Sequence, residues 1–324
     1  MTASISLTKK KLKQKKSKQD KQEAWAFYAF ISPWLFGFLF LSLIPMLFSF
    51  GISFTNFNGT NFETYKFVEL ANYIRAFKDT QALNAFGRTI SLALIMVPLT
   101  QALAFLLALI LNQPIRLRTL FRMVFYIPSI LPVVALTWIF RILFSAQGGL
   151  INGVINLFDS NLLIHWLTEL PEYVLMSLII WAGTGGITLI YLAGLQNVST
   201  ELEDAAMIDG AGRWQVLRNV TIPLMSPIIL FQLIQGLMGS LQIVTQPLLL
   251  SESTRATGSL AAAVARPIYT IMVHIFQVTF GKNLYGYGSA LNWILFVVIL
   301  VLTILFFRFS DYWVFYESDV EKQE

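Results

Sequence analysis

Few residues in this 324-residue chain could carry covalent chemistry, and their spacing argues against it. There is no cysteine, which excludes disulfides, a thiolate nucleophile and thiolate metal sites. The only two histidines, His165 and His274, have no partners near them in sequence. They read as surface or packing residues rather than ligands. No G-x-x-x-x-G-K-[ST] phosphate loop is present: Gly281-Lys282 is followed by Asn283, and no glycine stands five residues before Gly281. The chain is therefore not expected to hydrolyse ATP itself, and no convergent set of nucleophile, acid and metal ligands points to an enzyme.

What the polar residues could do is bind. Gln232, Gln235, Gly239, Gln242 and Gln246 recur at steps of 3, 4, 3 and 4, which puts them on one helical stripe, with Gly236 and Ser240 beside it. Uncharged amides both donate to and accept from hydroxyl groups. The plainer reading is helix–helix adhesion, since amides and small residues also pack helices in lipid. Trp181, Gly183, Thr184 and Gly186 form a small-residue break beside an aromatic ring, a second candidate lining. Trp138 is a weaker one, because a tryptophan near a helix end often anchors at a membrane interface.

The elements that must position these residues are membrane helices. Of all residues 56% are hydrophobic and only 13% charged, about half the charge of a soluble domain. No Asp, Glu, Lys or Arg occurs in 24–62, 89–115, 123–140, 173–200, 219–251 or 283–307. About 20 apolar residues cross a bilayer, and only helices or closed barrels can do so. The blocks predict an all-α polytopic membrane protein with spans near 27–51, 89–111, 121–143, 174–195, 224–249 and 287–309. Residues 267–281 are expected to form an external helix feeding the last span. A secondary carrier driven by ions would be expected to show acids along its path, and the six blocks hold none.

Basic residues set the orientation. Eight lysines lie between Lys9 and Lys21, Arg116, Arg118 and Arg122 occupy the loop after span 2, and Arg213 and Arg218 the loop after span 4. The positive-inside rule places all three in the cytoplasm, and six spans return the C-terminus to the same side. The net charge of +5 mostly reflects this topology, and no nucleic-acid partner is expected. The organisation read from these signals is a basic cytoplasmic tail at 1–25, a first span with an external loop at 26–85, a five-span core at 86–310, and a cytoplasmic tail at 311–324. The first apolar block is too long for a cleavable signal peptide and reads as a permanent span.

Between spans 4 and 5 lies the longest cytoplasmic segment, residues 199–227, STELEDAAMIDGAGRWQVLRNVTIPLMSP. Ser199 or Thr200, with Glu203, predicts a capping box. Leu202, Ala205 and Ala206 form a small apolar face, and Asp209-Gly210 a tight turn. A second short helix, Arg213 to Val220, is expected to end before Pro223. Such a knob suits a partner's groove, whereas a solvated linker would need neither caps nor an apolar face.

DAAMIDGAGRWQVLRNVTIPLMSP resembles the coupling-loop signature of ABC importer permeases: E-A-A, three residues, G, nine residues, I-x-L-P. Asp204, Ala205 and Ala206 stand at the E-A-A positions, Gly210 at the glycine, and Val220, Ile222 and Pro223 at I, L and P. Asp for Glu, Val for Ile and Ile for Leu are the departures. The flanking IDGA and RWQ, with SPWLFGFLFLSLIPMLFSFGISFTNF in span 1, FRMVFYIPSILPVVALTWIF in span 3 and SALNWILFVVILVLTILFFRFSDYWVFY at the end, are similar to sugar-transporting, maltose-type permeases.

The resemblance implies the type I ABC importer permease (MetI-like) fold. It implies a bacterial cell-membrane subunit with both termini cytoplasmic, paired with a second homologous permease. Two ABC ATPase subunits would carry the ATP and magnesium, this chain holding no cofactor or metal of its own. An extracellular solute-binding protein would deliver the sugar. The ATPase-coupling residues implied are Leu202, Glu203, Asp204, Ala205, Ala206, Asp209, Gly210, Ala211 and Pro223, within 199–223. The substrate pathway is expected among Trp181, Gly183, Thr184, Gln232, Gln235, Gly236, Gly239, Ser240 and Gln242. The alternatives are an ion-coupled secondary carrier and an ABC permease for a non-sugar solute such as glycerol phosphate.

Overall fold

The structure is a computed structural model that describes residues 18–59, 66–159, 162–251 and 264–315. The lysines up to Lys16, residues 252–263 and residues 316–324 lie outside them. The described residues are almost all helical, with one isolated bridge between Thr55 and Phe67. The chain divides into two compact units, residues 1–51 and 52–324.

Five helices are long and apolar enough to cross a membrane: Trp25–Ser53, Thr80–Asn112, Pro171–Asn197, Arg213–Leu241 and Tyr285–Ser310. These are spans 1, 2, 4, 5 and 6. Span 3 differs from expectation. It is two helices, Arg118–Ile130 and Val133–Leu143, bent by 98° at the break. Pro132 explains the bend. It has no N–H to donate, and it disfavours helical geometry in the residue before it. Leu131 accordingly sits extended at φ −65°, ψ 139°.

Proline also shapes spans 1 and 5, by a milder route. A π turn, Leu39–Leu43, precedes Pro45, and another, Leu217–Thr221, precedes Pro223. In each case the carbonyl four residues before the proline, the one its ring would strike in an α-helix, lies inside the widened turn. The helix therefore continues where the sequence predicted a stop. The second helix of the 199–227 segment does not end before Pro223 but runs through it as the root of span 5.

Within the second unit, spans 2 and 4 run side by side in the same direction. Near their starts Leu92 and Met96 pack with Val174, Leu175 and Leu178. Near their ends Ala104, Ala108 and Leu111 meet Tyr191, Leu192 and Leu195, with Met225 of span 5 closing the cluster. This parallel pair requires the chain to cross back between them, which broken span 3 does. A buried amide binds three spans at once: Gln101 Nε2 donates to the Gln232 carbonyl at 2.8 Å, and Tyr191 Oη donates to Gln101 Oε1 at 2.7 Å.

The segment at 267–281 is a helix as expected, Ile271–Phe276 extended by a π turn to Gly281. It is not a surface feature. Ile271, Val273, His274 and Val278 are buried. The helix packs against Ala82 and Ala85 of span 2 and Tyr287 and Leu291 of span 6. The Thr89 hydroxyl accepts from Ile271 N at 2.8 Å.

Candidate functional site: the exposed loop and the span 4–5 wall

The 199–227 segment forms a helix, Thr200–Ile208, a turn, and a helix starting at Arg213. The expected capping box at its start is absent: Ser199 makes no side-chain cap. Glu203 is used elsewhere, accepting from Thr221 Oγ1 at 2.8 Å. That bond ties the first helix to the root of span 5, so a push on one reaches the other.

The turn has the geometry of a Schellman motif. Gly210 N donates to Met207 O at 3.1 Å, and Ala211 N to Ala206 O at 3.0 Å. Gly210 sits at φ +89°, where side chains are disfavoured. The Gln215 side chain then reaches back to accept from Gly212 N at 2.7 Å, capping the second helix. Asp204, Ala205, Asp209 and Leu202 are exposed, whereas Glu203, Ala206, Ala211 and Pro223 are half-buried. The most exposed apolar side chains were not singled out from sequence: Ile208 at 85% and Trp214 at 70%. An apolar surface on a rigid, doubly capped turn is suited to a protein partner.

The span 5 stripe divides. Gln235, Gly239 and Gln242 face outward from the chain, exposed. Gln232 and Ser240 are buried, and a Cβ on Gly236 would stand 3.1 Å from both Gln101 Nε2 and Val97 Cγ1. Gln232 and Gly236 belong to the packing with span 2, whereas Ser240 Oγ donates to Leu237 O within its own helix. The regular helix stops at Leu241, and Gln246 belongs to the next short helix, Thr245–Leu250. Gln242 donates to Met238 O at 3.1 Å and so caps the end of span 5.

In span 4, Trp181 is half-exposed, its ring tilted against Phe140 with centroids 5.6 Å apart. Thr184 is buried and bonded to Ile180 O. Gly183 faces Thr100. Trp138 lies under the Arg141 guanidinium, 4.9 Å from the ring centroid, and Arg141 also donates to Leu249 O at 3.3 Å. An exposed amide pair and an exposed indole are the parts of this wall that could meet a solute.

A polar cluster that sequence reading missed closes the opposite end of the unit. Asp79 Oδ1 caps span 2 by accepting from Gln81 N and Ala82 N, and Oδ2 accepts from Tyr287 Oη at 2.8 Å. His274 Nε2 lies 3.7 Å from that same oxygen, and Tyr269 Oη is 3.2 Å from His274 Nδ1. His274 is thus a packing residue, with an acidic partner brought from 195 positions away. Burial lowers its pKa below the ordinary 6.5. Asp79 opposes this, while Lys282 and Arg75 reinforce it. For Asp79 burial acts upward, but the Tyr287 hydroxyl and the two backbone N–H groups bring the carboxyl below its ordinary 3.8.

Both depressed values act in one direction. A neutral His274 contributes stability that is whole above pH 6.5 and is lost as pH falls from there toward its folded value. The contribution of Asp79 is whole above pH 3.8 and lost below it. The melting temperature of the purified protein should therefore fall between pH 7 and pH 5, and His274→Gln should flatten that slope. Equal slopes for the wild type and His274→Gln would refute the assignment.

The family described as "Binding-protein-dependent transport system inner membrane component" matches residues 102–314. The chain belongs to this family. It is thereby a multi-pass membrane transport subunit of the ABC importer type, and the matched region takes in the whole exposed loop. The permease is 33% identical to the "Probable ABC transporter permease protein YesP" of Bacillus subtilis, over 95% of this chain and 97% of that one. It is 29% identical to the "Lactose transport system permease protein LacF" of Rhizobium radiobacter, over 75% and 80%. Its fold is that of a chain in a bacterial alginate ABC transporter, crystallised in complex with an alginate-pentasaccharide-bound periplasmic protein. The TM-score is 0.75 at 22% identity, covering 90% of this chain and 96% of that one.

Proposed function

We propose that this permease forms one half of an ATP-driven import pathway for saccharides, most naturally oligosaccharides, and that residues 199–223 are its contact with an ATPase subunit. One observation carries the reading. The exposed apolar turn at 205–214 is held rigidly to the root of span 5 through Glu203 and Thr221, and span 5 carries the exposed amides Gln235 and Gln242. Movement of the loop by a partner would move the wall that faces the solute. Two ATPase subunits would supply ATP and magnesium. A second permease would face the exposed amides, and an extracellular binding protein would deliver the sugar. The relative named for lactose and the fold relative crystallised with a saccharide-loaded periplasmic protein support the substrate class and that partner. The lysine-rich start and the arginines flanking spans 2 and 4 support cytoplasmic termini.

The test is reconstitution of this permease with its partner permease, ATPase and binding protein in liposomes, with uptake of radiolabelled oligosaccharide measured against ATP. Uptake should require both ATP and the loaded binding protein. In that assay Gln235→Leu and Gln242→Leu should each weaken uptake about two- to tenfold at low sugar concentration, the worth of one hydrogen bond, with assembly intact. Failure of the Leu variants to assemble with the second permease would make the amides packing residues. Full uptake at every sugar concentration would transfer the lining to Trp181 and its neighbours in span 4.

A further inference from the structure

On the side of the second unit away from the 199–223 loop, the start of span 2 and the segment at 264–282 line an open chamber of about 470 Å³. Gln81, Asn84 and Arg88, on successive turns of span 2, form one wall. Arg266, Tyr269 and Lys282 contribute from the other, together with Gln277. Among the described residues none that lines the space is acidic. The acid that acts on Tyr269 from nearby, Asp79, is engaged by the span 2 N-terminus and Tyr287. Among the described residues no carboxylate forms an ion pair with Arg88, Arg266 or Lys282, and the nearby Asp79 pairs with His274, so the three bring unpaired positive charge.

Like charges gathered in a concavity focus a field that attracts an anion. The neighbouring amides donate to and accept from hydroxyl groups, and Tyr269 adds an aromatic ring. Cations, amides and an aromatic in one chamber match a ligand that is both polyhydroxylated and anionic. A purely electrostatic site would have little use for the amides. A neutral-sugar site would gain nothing from three uncompensated cations.

We propose that this chamber receives an acidic saccharide, one bearing uronate carboxylates, before it enters the pathway. The proposal rests on the reading of the protein as a saccharide importer and narrows its substrate class. The cations hold the carboxylate and the amides the ring hydroxyls. A membrane phosphate or an acidic face of the binding protein could use the same cations, and the experiment separates them.

The full complex, in nanodiscs of phosphatidylcholine and without binding protein, is titrated with digalacturonate and with its dimethyl ester, which keeps the shape and removes the charge. The acid should bind about ten- to a hundredfold more tightly than the ester, the range of one charge-assisted hydrogen bond. Added salt should shrink that preference. Arg88→Gln combined with Lys282→Gln should abolish the preference, and Lys282→Arg should retain it. If the double variant does not assemble, the acid–ester ratio and its salt dependence in the wild type still decide. Equal binding of acid and ester, or binding of neither, overturns the proposal. Loss of the acid's binding when phosphatidylglycerol is included assigns the chamber to a lipid headgroup and also overturns it. Acid binding that occurs only with the binding protein present would place the recognition on that partner. ATP-driven uptake of a neutral oligosaccharide with no acid preference would reject the chamber alone, whereas absence of any saccharide uptake would reject the importer reading beneath it.

Discussion

Gly210→Val should uncouple the permease while leaving it inserted and assembled. The residue closes the Schellman turn at φ +89°, and a Cβ there meets nothing within 4 Å, so the whole effect is conformational. Left-handed backbone costs an L residue about 1–2 kcal/mol, and a β-branched residue suffers most. A cost of that size lowers the ratio of native to non-native turn about five- to thirtyfold. Substrate-stimulated ATP hydrolysis by the complex should fall by up to that factor. Gly210→Asn should retain most of it, because Asn tolerates this region. Wild-type stimulation by the Val variant would show that the turn does not engage the ATPase, whereas a loss shared equally by Asn and Val would point to side-chain bulk instead.

The second large effect is expected at Gly185, where span 4 crosses the first half of span 3. A Cβ there would clash with the Phe125 carbonyl oxygen and stand 3.2 Å from the Tyr126 Cα. These are backbone atoms that no rotamer change can move. Gly185→Ala must separate the two helices, and overpacking of this kind costs about 1–3 kcal/mol. The purified complex should melt at a clearly lower temperature. Gly87→Ala is the matched control: nothing lies within 4 Å of its Cβ, and alanine is the better helix former. If both variants melt alike, the close crossing of spans 3 and 4 is wrong.

The spans were legible because lipid leaves a chain so few options: charge-free blocks long enough to cross must be helices, and five of six became single helices, four near their expected places and span 5 shifted from 224–249 to Arg213–Leu241. The exceptions share one residue type. Pro132 broke span 3, whereas Pro45 and Pro223 were absorbed by π turns. A proline marks a local conflict, and the packing around it decides between bend and bulge. The turn at Asp209-Gly210 was also legible, since glycine's tolerance of positive φ is local. The use of Glu203 was not. Local spacing offered it a capping role, and a hydroxyl 18 residues away at Thr221 took it instead.

The amide stripe shows the same boundary between local and long-range information. Its spacing placed five residues on a helix, and three of them, Gln235, Gly239 and Gln242, share the exposed face. Gln232 instead faces inward, its backbone carbonyl accepting from Gln101 of span 2. Gln101 and Tyr191 went unnoticed for the converse reason: one amide and one phenol in separate apolar blocks carry no signal until the fold brings them together. The Asp79–His274–Tyr287 cluster, assembled from three distant segments, was hidden in the same way.

The central claim is that residues 199–223 seat in an ATPase subunit, and contact there is directly measurable. The chain is free of cysteine, so one placed at Ile208, the most exposed apolar residue of the first loop helix, is a unique handle. In the assembled complex it should crosslink through a short bifunctional thiol reagent to a single cysteine in the ATPase groove, with a yield that changes between nucleotide-free and ATP-bound states. A cysteine at Lys78, exposed at the opposite end of the unit, should give no such product. Crosslinking from Lys78 but not from Ile208 would contradict the account.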